Sequence, residues 1–302
     1  MRTIHQSLLA LAGATAALVL ITACNNERGT APATPLLSQA QAESLATTVV
    51  ADVVGEIGTA TMDGSAGGGL GATASFSASA PAGSTTATQC IPAESPTPVV
   101  NSDNDGVPDS VRFDYTGCVI SRPLSIDSLS GTIDLIDPTK LVADHAVERV
   151  FTDFKRVTVN LVSGAKSSVT ENGERMASHD GTTLRSSETN FRTDYVYANG
   201  ATAEHVRTWE SIFTADVAGS IMPNTLLPSG TWSVNGTSSW TRGQRSYSLT
   251  VTTNPALHYN ASCTAAPRFD AGKITAVVVR GSQTMTVSIE FTACGVYTVT
   301  RS

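Results

Sequence analysis

Within the stretch NSDNDGVPDS, residues 101–110, oxygen donors recur at alternate positions: Asn101, Asp103, Asp105, the carbonyl of Val107, and Asp109. Gly106 leaves the backbone free to turn sharply between them. Calcium takes six to eight oxygen ligands at adaptable angles, and a tight loop supplies them from alternate residues. The spacing therefore points to a Ca2+ site. The competing reading is an acidic surface turn whose Asp and Asn side chains bond their own backbone. No histidine stands near the stretch, and its surroundings hold Pro92, Pro96, Pro98 and Pro108 with little apolar content. Such a segment cannot fold by burial alone, so a cation there would be structural rather than catalytic.

Catalytic spacing is absent elsewhere. Beyond residue 24 the histidines are His145, His179, His205 and His258, and none forms HExxH or another metal-ligand pattern. No GxSxG elbow or phosphate-cradling glycine loop occurs. A non-enzymatic protein is the expectation. The less favoured reading is a hydrolase without a recognisable motif, using Glu204 and Glu210 as paired carboxylates. His205, Arg207 and Trp209 alternate on one strand face, which reads as a solvated face. Trp209, Trp232 and Trp240 with Tyr195 and Tyr197 could grip a sugar or peptide, although Trp232 and Trp240 read better as core.

Five cysteines are present: Cys24, Cys90, Cys118, Cys263 and Cys294. Without CxxC or Cys/His clusters, metal binding by them is disfavoured and disulfides are expected. If Cys24 is set aside, four cysteines allow three pairings. Neighbour pairing, Cys90 with Cys118 and Cys263 with Cys294, is the economical choice. Cys24 closes a leader in which Arg2 precedes the apolar run Leu8–Leu20. That run is shorter than the roughly 20 residues a membrane span needs and suits a signal peptide.

Two resemblances follow from these residues. The tetrapeptide Ile21-Thr22-Ala23-Cys24 resembles the lipobox of bacterial lipoproteins. That resemblance implies removal of residues 1–23, lipid on Cys24, and export to a membrane. With Asn25 following rather than an aspartate, it implies the outer membrane, at its periplasmic or surface face. Residues 101–109 resemble the DxDxDG calcium loops of thrombospondin type 3 repeats, dockerins and EF-hands, over about a dozen residues only. The twelfth position is Arg112 where EF-hands carry a bidentate Glu, and a strand follows rather than a helix. Asp114 or Glu94 is the expected substitute ligand.

The elements that must position these groups are mostly strands. A tether, 25–37, leads to an amphipathic helix over 38–57. There Ala42, Leu45, Ala46, Val49, Val50, Val53, Val54 and Ile57 share one face. Gly55 and Gly58 mark its expected end. Residues 63–88 are Gly/Ala/Ser-rich and low in complexity, with SFSAS as a candidate edge strand. From 111 onward, alternating segments separated by Ser163-Gly164, Asp180-Gly181 and Asn199-Gly200 read as successive hairpins. The fold expected is mainly β: one β-rich domain over 38–302, a large curved antiparallel meander with the helix against it. Half-barrel, closed barrel and sandwich all remain open. The net charge of −7 without a Lys/Arg run carries no footprint for nucleic acid or anionic headgroups. The leading function is a membrane-held binding or structural module for a peptide or glycan. The alternative is a carrier that shields an apolar ligand between sheet and helix.

Overall fold

The computed structural model describes residues 38–65, 90–142, 145–222, 225–243 and 245–302, with backbone alone for 55–65 and 245. The leader, Cys24, the tether and the SFSAS segment lie outside the described residues. One helix, α1 (Gln39–Ser65), precedes a fourteen-stranded antiparallel sheet. The strands are β1 (Ala93–Ser95), β2 (Ser110–Asp114), β3 (Cys118–Arg122), β4 (Ser125–Ile136), β5 (Ala146–Asn160), β6 (Lys166–His179) and β7 (Thr183–Val196). There follow β8 (Thr202–Ala215), β9 (Gly230–Arg242), β10 (Arg245–Thr253), β11 (Leu257–Tyr259), β12 (Phe269–Arg280), β13 (Gln283–Ala293) and β14 (Val296–Arg301). The expected meander is present, and β1 and β14 stand at opposite ends of the strand order rather than pairing.

Curvature has a local cause. The register slips once in each of four neighbouring strands, at Ser130/Thr132, Phe151/Phe154, Asn172/Glu174 and Glu188/Phe191. Such bulges bend a strand and raise its twist, and a row of them curls the sheet. Two glycines make the row feasible. Gly131 has φ +86°, and a Cβ there would sit 2.1 Å from the Asp153 carbonyl oxygen. Gly173 has φ +126°, with Phe191 Cα 2.9 Å from any added Cβ.

The curled sheet holds α1 between β13–β14 on one side and β5–β8 on the other. Ala42, Leu45, Ala46, Val49, Val50 and Val53 are buried in one core with Trp209, Phe213, Trp232, Leu257, Phe269 and Ile274. The helix starts as expected, with Ser38 and Gln41 bonded reciprocally as a capping box. It runs past 57 to Ser65, because an interior glycine costs a helix only about 1 kcal/mol and does not break it. No helix among the described residues is long and apolar enough to cross a membrane. A second core joins Val111, Phe113, Tyr115, Ile120 and Leu129 to Phe151, Phe154 and Phe191. Disulfides link Cys90 to Cys118 and Cys263 to Cys294, as neighbour pairing anticipated.

Candidate metal centre and the charged inner face

The acidic loop folds on its own side chains. Asn101 Oδ1 accepts from Asn104 N at 2.8 Å, Asp103 Oδ1 from Asp105 N at 3.1 Å, and Asp105 Oδ1 from Val107 N at 2.7 Å. Asp109 takes both the amide and the hydroxyl of Ser102, at 2.7 and 2.6 Å. These bonds pull the Asp109 carboxyl below its ordinary range. Val107 is buried against Val147 and Ala177, which pins the loop to β5 and β6. The loop thus uses one oxygen of each of Asp103 and Asp105 and turns the other away from water.

A third carboxylate meets them there. The Asp137 amide donates to the Asp109 carbonyl at 3.3 Å, beyond the β2–β4 pairing of Ser110 with Ile136. This register delivers Asp137 to the loop. Carboxylate oxygens of Asp103, Asp105 and Asp137 lie within 4.8 Å of one another. Asp137 is 2% exposed and Asp105 7%. One oxygen of each of the three (Oδ2) is buried without a hydrogen-bond partner. Burial, then the charges of Asp103 and Asp137, raise Asp105 above its usual value against the Val107 amide. Three carboxylates facing one another with unused buried oxygens form an arrangement that a hard divalent cation would relieve.

Sequence reasoning missed Asp137, and the expected substitutes Asp114 and Glu94 are not in this group. Asp114 instead accepts from the Thr116 amide. Of the sequence-derived set, Asp103 and Asp105 come together, while Asn101 and Asp109 spend oxygens inside the loop. The expectation of a site remote from histidine also needs correcting. His145 reaches Asp105 electrostatically and stacks on His179 at 5.0 Å. The only other gathering of acidic and sulfur groups among the described residues is Cys263, Cys294 and Asp270, where both sulfurs are spent in a disulfide.

His205, Arg207 and Trp209 point inward, contrary to the solvated face expected of them. Glu188 is buried between two guanidiniums, Arg175 Nε at 2.8 Å and Arg207 Nε at 3.0 Å. Arg175 also lies over the Phe191 ring at 3.9 Å. Helix residue Asp52 meets this network. Burial lifts its carboxyl to about 6 against the pull of Arg207. Burial and Arg207 drop His205 to about 3. The neutral His205 ring shares a hydrogen bond with Ser238 at 2.7 Å and stacks on Trp240 at 3.9 Å.

Trp232 lies in the core as expected, but Trp240 does not. It stacks with Tyr195, which stacks on Tyr197, whose ring lies under Arg242. The aromatic faces therefore cover one another. Glu204 and Glu210 alternate away from the inward residues, and Glu204 is held by Arg192 at 2.9 Å. Six residues of strand separate them by about 20 Å, beyond the spacing of a glycosidase pair. Comparison of the chain with protein-family models, with curated proteins and with solved structures gave no match.

Proposed function

We propose that this chain is an exported lipoprotein, fixed through Cys24 to a bacterial outer membrane. Its β domain acts as a non-enzymatic binding or structural module stabilised by one Ca2+. The observation that carries the metal is the convergence of Asp103, Asp105 and Asp137 with three buried, unpartnered oxygens. The Val107 carbonyl and water would supply further oxygens. Bound there, the cation neutralises carboxylates that otherwise repel and ties the 96–109 loop to the end of β4. With the Cys90–Cys118 disulfide it fixes a segment that has few apolar side chains to bury.

Carriage of an apolar molecule between sheet and helix is the weaker reading. The buried face of α1 shares one core with Trp209, Phe213, Trp232 and Ile274, so side chains occupy the place a ligand would need. The test is the melting temperature of residues 25–302 in calcium and in excess chelator, with Asp137→Asn alongside. Calcium at about a hundred times its Kd should add about 2.7 kcal/mol, and Asp137→Asn should abolish that gain. Equal melting in calcium and chelator would reduce the loop to an acidic turn. Mass analysis of the chain from its native membrane tests the lipid on Cys24 separately.

A further inference from the structure

The antiparallel registers divide the connections into two rims. One rim carries the turns after β3, β5, β7, β9 and β12; the other carries the 96–109 loop and the connections after β4, β6 and β8. Their charges differ in sign. On the first rim the linking residues 123–124, 161–165, 197–201, 243–244 and 281–282 contain no acid. Arg122, Lys166, Arg242, Arg245 and Arg280 close these turns. Of the nearest acids, Asp127 is paired with Arg122, and Asp194 and Glu204 are tied to Arg192 on the strands. The opposite rim holds Asp103, Asp105, Asp109, Asp137, Asp180 and Asp216. An acidic chain has therefore gathered cations at one end, which composition alone concealed.

The same basic rim presents aliphatic side chains at two touching hairpin tips. Leu161 N donates to Leu124 O at 2.9 Å, joining the turn after β5 to the turn after β3. Leu124 is 64% exposed, Leu161 52% and Val162 78%. Every backbone N–H of the tip nevertheless has a partner within these turns. Asn160 N donates to Ala165 O, and Val162 N and Ser163 N both donate to Asn160 Oδ1. Gly164 N donates to Asn160 O, and Ala165 N to Ser163 Oγ. Closure of this kind is what entry into a bilayer interface requires, because lipid offers unsatisfied amides no partner.

We propose that the basic rim docks on a bilayer bearing anionic headgroups, with Leu124, Leu161 and Val162 entering the headgroup–acyl boundary. Lys166, Arg242 and Arg280 then lie at headgroup level, an arrangement in which apolar burial and electrostatic attraction act together. This orientation is compatible with an anchor at Cys24, and so deepens that reading. The start of α1 rests on Val299, where Gln39 Nε2 meets its carbonyl at 3.3 Å. Val299 pairs with Ile289, six residues from the rim at Gln283, a rise of about 20 Å. Thirteen residues lie between Cys24 and Ser38, and the fourteen steps from one to the other can span up to about 46 Å. The same membrane can hold both lipid and rim. At the other rim, exposed Val217 and Met222 share their end of the sheet with Asp180 and Asp216, which an anionic surface repels.

All described elements lie within 38–302, so residues 25–302 keep the whole described fold without the lipid. The test is co-sedimentation of this form with phosphatidylcholine vesicles, with and without phosphatidylglycerol, alongside Val162→Asp and Lys166→Gln. Binding to the anionic vesicles is expected, weakened at least about tenfold by Val162→Asp and about fivefold by Lys166→Gln. Both substitutions are on exposed turns, and unchanged melting temperatures will show that the fold survives. No binding to anionic vesicles, or binding that neither substitution alters, overturns the proposal. So does sedimentation showing self-association lost in Val162→Asp, which would make the tip a contact with a second copy. Because Cys24 is absent from this form, either result leaves the anchor reading untouched.

Discussion

Two segments are laid onto the same sheet, α1 and the 96–109 loop, and they are held by different physics. The helix contributes six fully buried apolar side chains on one stripe. The loop contributes Val107, with Val99 partly buried. Where a segment has an apolar stripe, burial at roughly 25 cal/mol per Å² suffices and the interface is dry. Where it has none, a disulfide and converging carboxylates take over, and under the proposed reading stability comes to depend on redox state and on a cation. The comparison implies that the two attachments fail independently.

The largest test removes a side chain on the burial side. Trp232 is fully buried, packs on Phe213 at 5.0 Å, and donates from Nε1 to Ser211 Oγ at 2.6 Å. Trp232→Ala should cost about 3–5 kcal/mol, from the cavity and from the stranded Ser211 hydroxyl. Urea unfolding should give the same loss in calcium and in chelator. A loss that changes with calcium would join the two attachments into one cooperative unit and break the comparison.

A smaller effect comes from the one discordant group in the helix stripe. Asp52 is raised to about 6, chiefly by burial. The folded state therefore binds its proton more tightly than the unfolded chain does. That contribution is fully present below about pH 4 and is lost as pH rises through 6. At neutral pH the ionised carboxylate is a cost of up to about 3 kcal/mol, so Asp52→Asn should stabilise by that order at pH 8 and not at pH 4. Destabilisation by Asp52→Asn at pH 8 would mean that attraction to Arg207 outweighs burial. The helix would then be locked by charge as well as by burial.

The strands were legible because they alternate and because Ser163-Gly164, Asp180-Gly181 and Asn199-Gly200 sit between them, where tight turns need residues tolerant of positive φ. Which face pointed inward was not legible for β7 and β8. The bulge between Glu188 and Phe191 resets the alternation, and both of those side chains are buried three residues apart. His205 and Arg207 read as solvated because a buried charge is intelligible only beside its partner, and Glu188 sits on another strand. Asp103 and Asp105 were visible as a local pattern. Asp137 was not, since strand register alone brings it to the loop from the far end of β4. Polarity of the rims was hidden for a similar reason: the cations are spread over four turns, and only the meander lines them up.

The smallest expected effect lies beside the second disulfide, where charge and burial overlap. His258 Nδ1 lies 2.6 Å from Asp270 Oδ1 and its Nε2 3.3 Å from Asp216 Oδ2, so the imidazole ties β11 to β12 and to the end of β8. Asp270 also accepts from Asn260 Nδ2 at 2.7 Å. The hydrogen bond to Asp270, and then that to Asp216, hold His258 above its ordinary value. A raised histidine binds its proton more tightly when folded. Its stabilisation is therefore complete below about pH 6.5 and is lost as pH climbs through the raised folded value. The groups are partly exposed, so screening keeps the contribution below about 1 kcal/mol. His258→Gln should lower the melting temperature by about 1–3 °C at mildly acidic pH and leave it unchanged near pH 9. A deficit that persists unchanged at high pH would assign His258 to packing. The Cys263–Cys294 end would then be held as α1 is, by burial, and the 96–109 loop would stand alone in its dependence on charge.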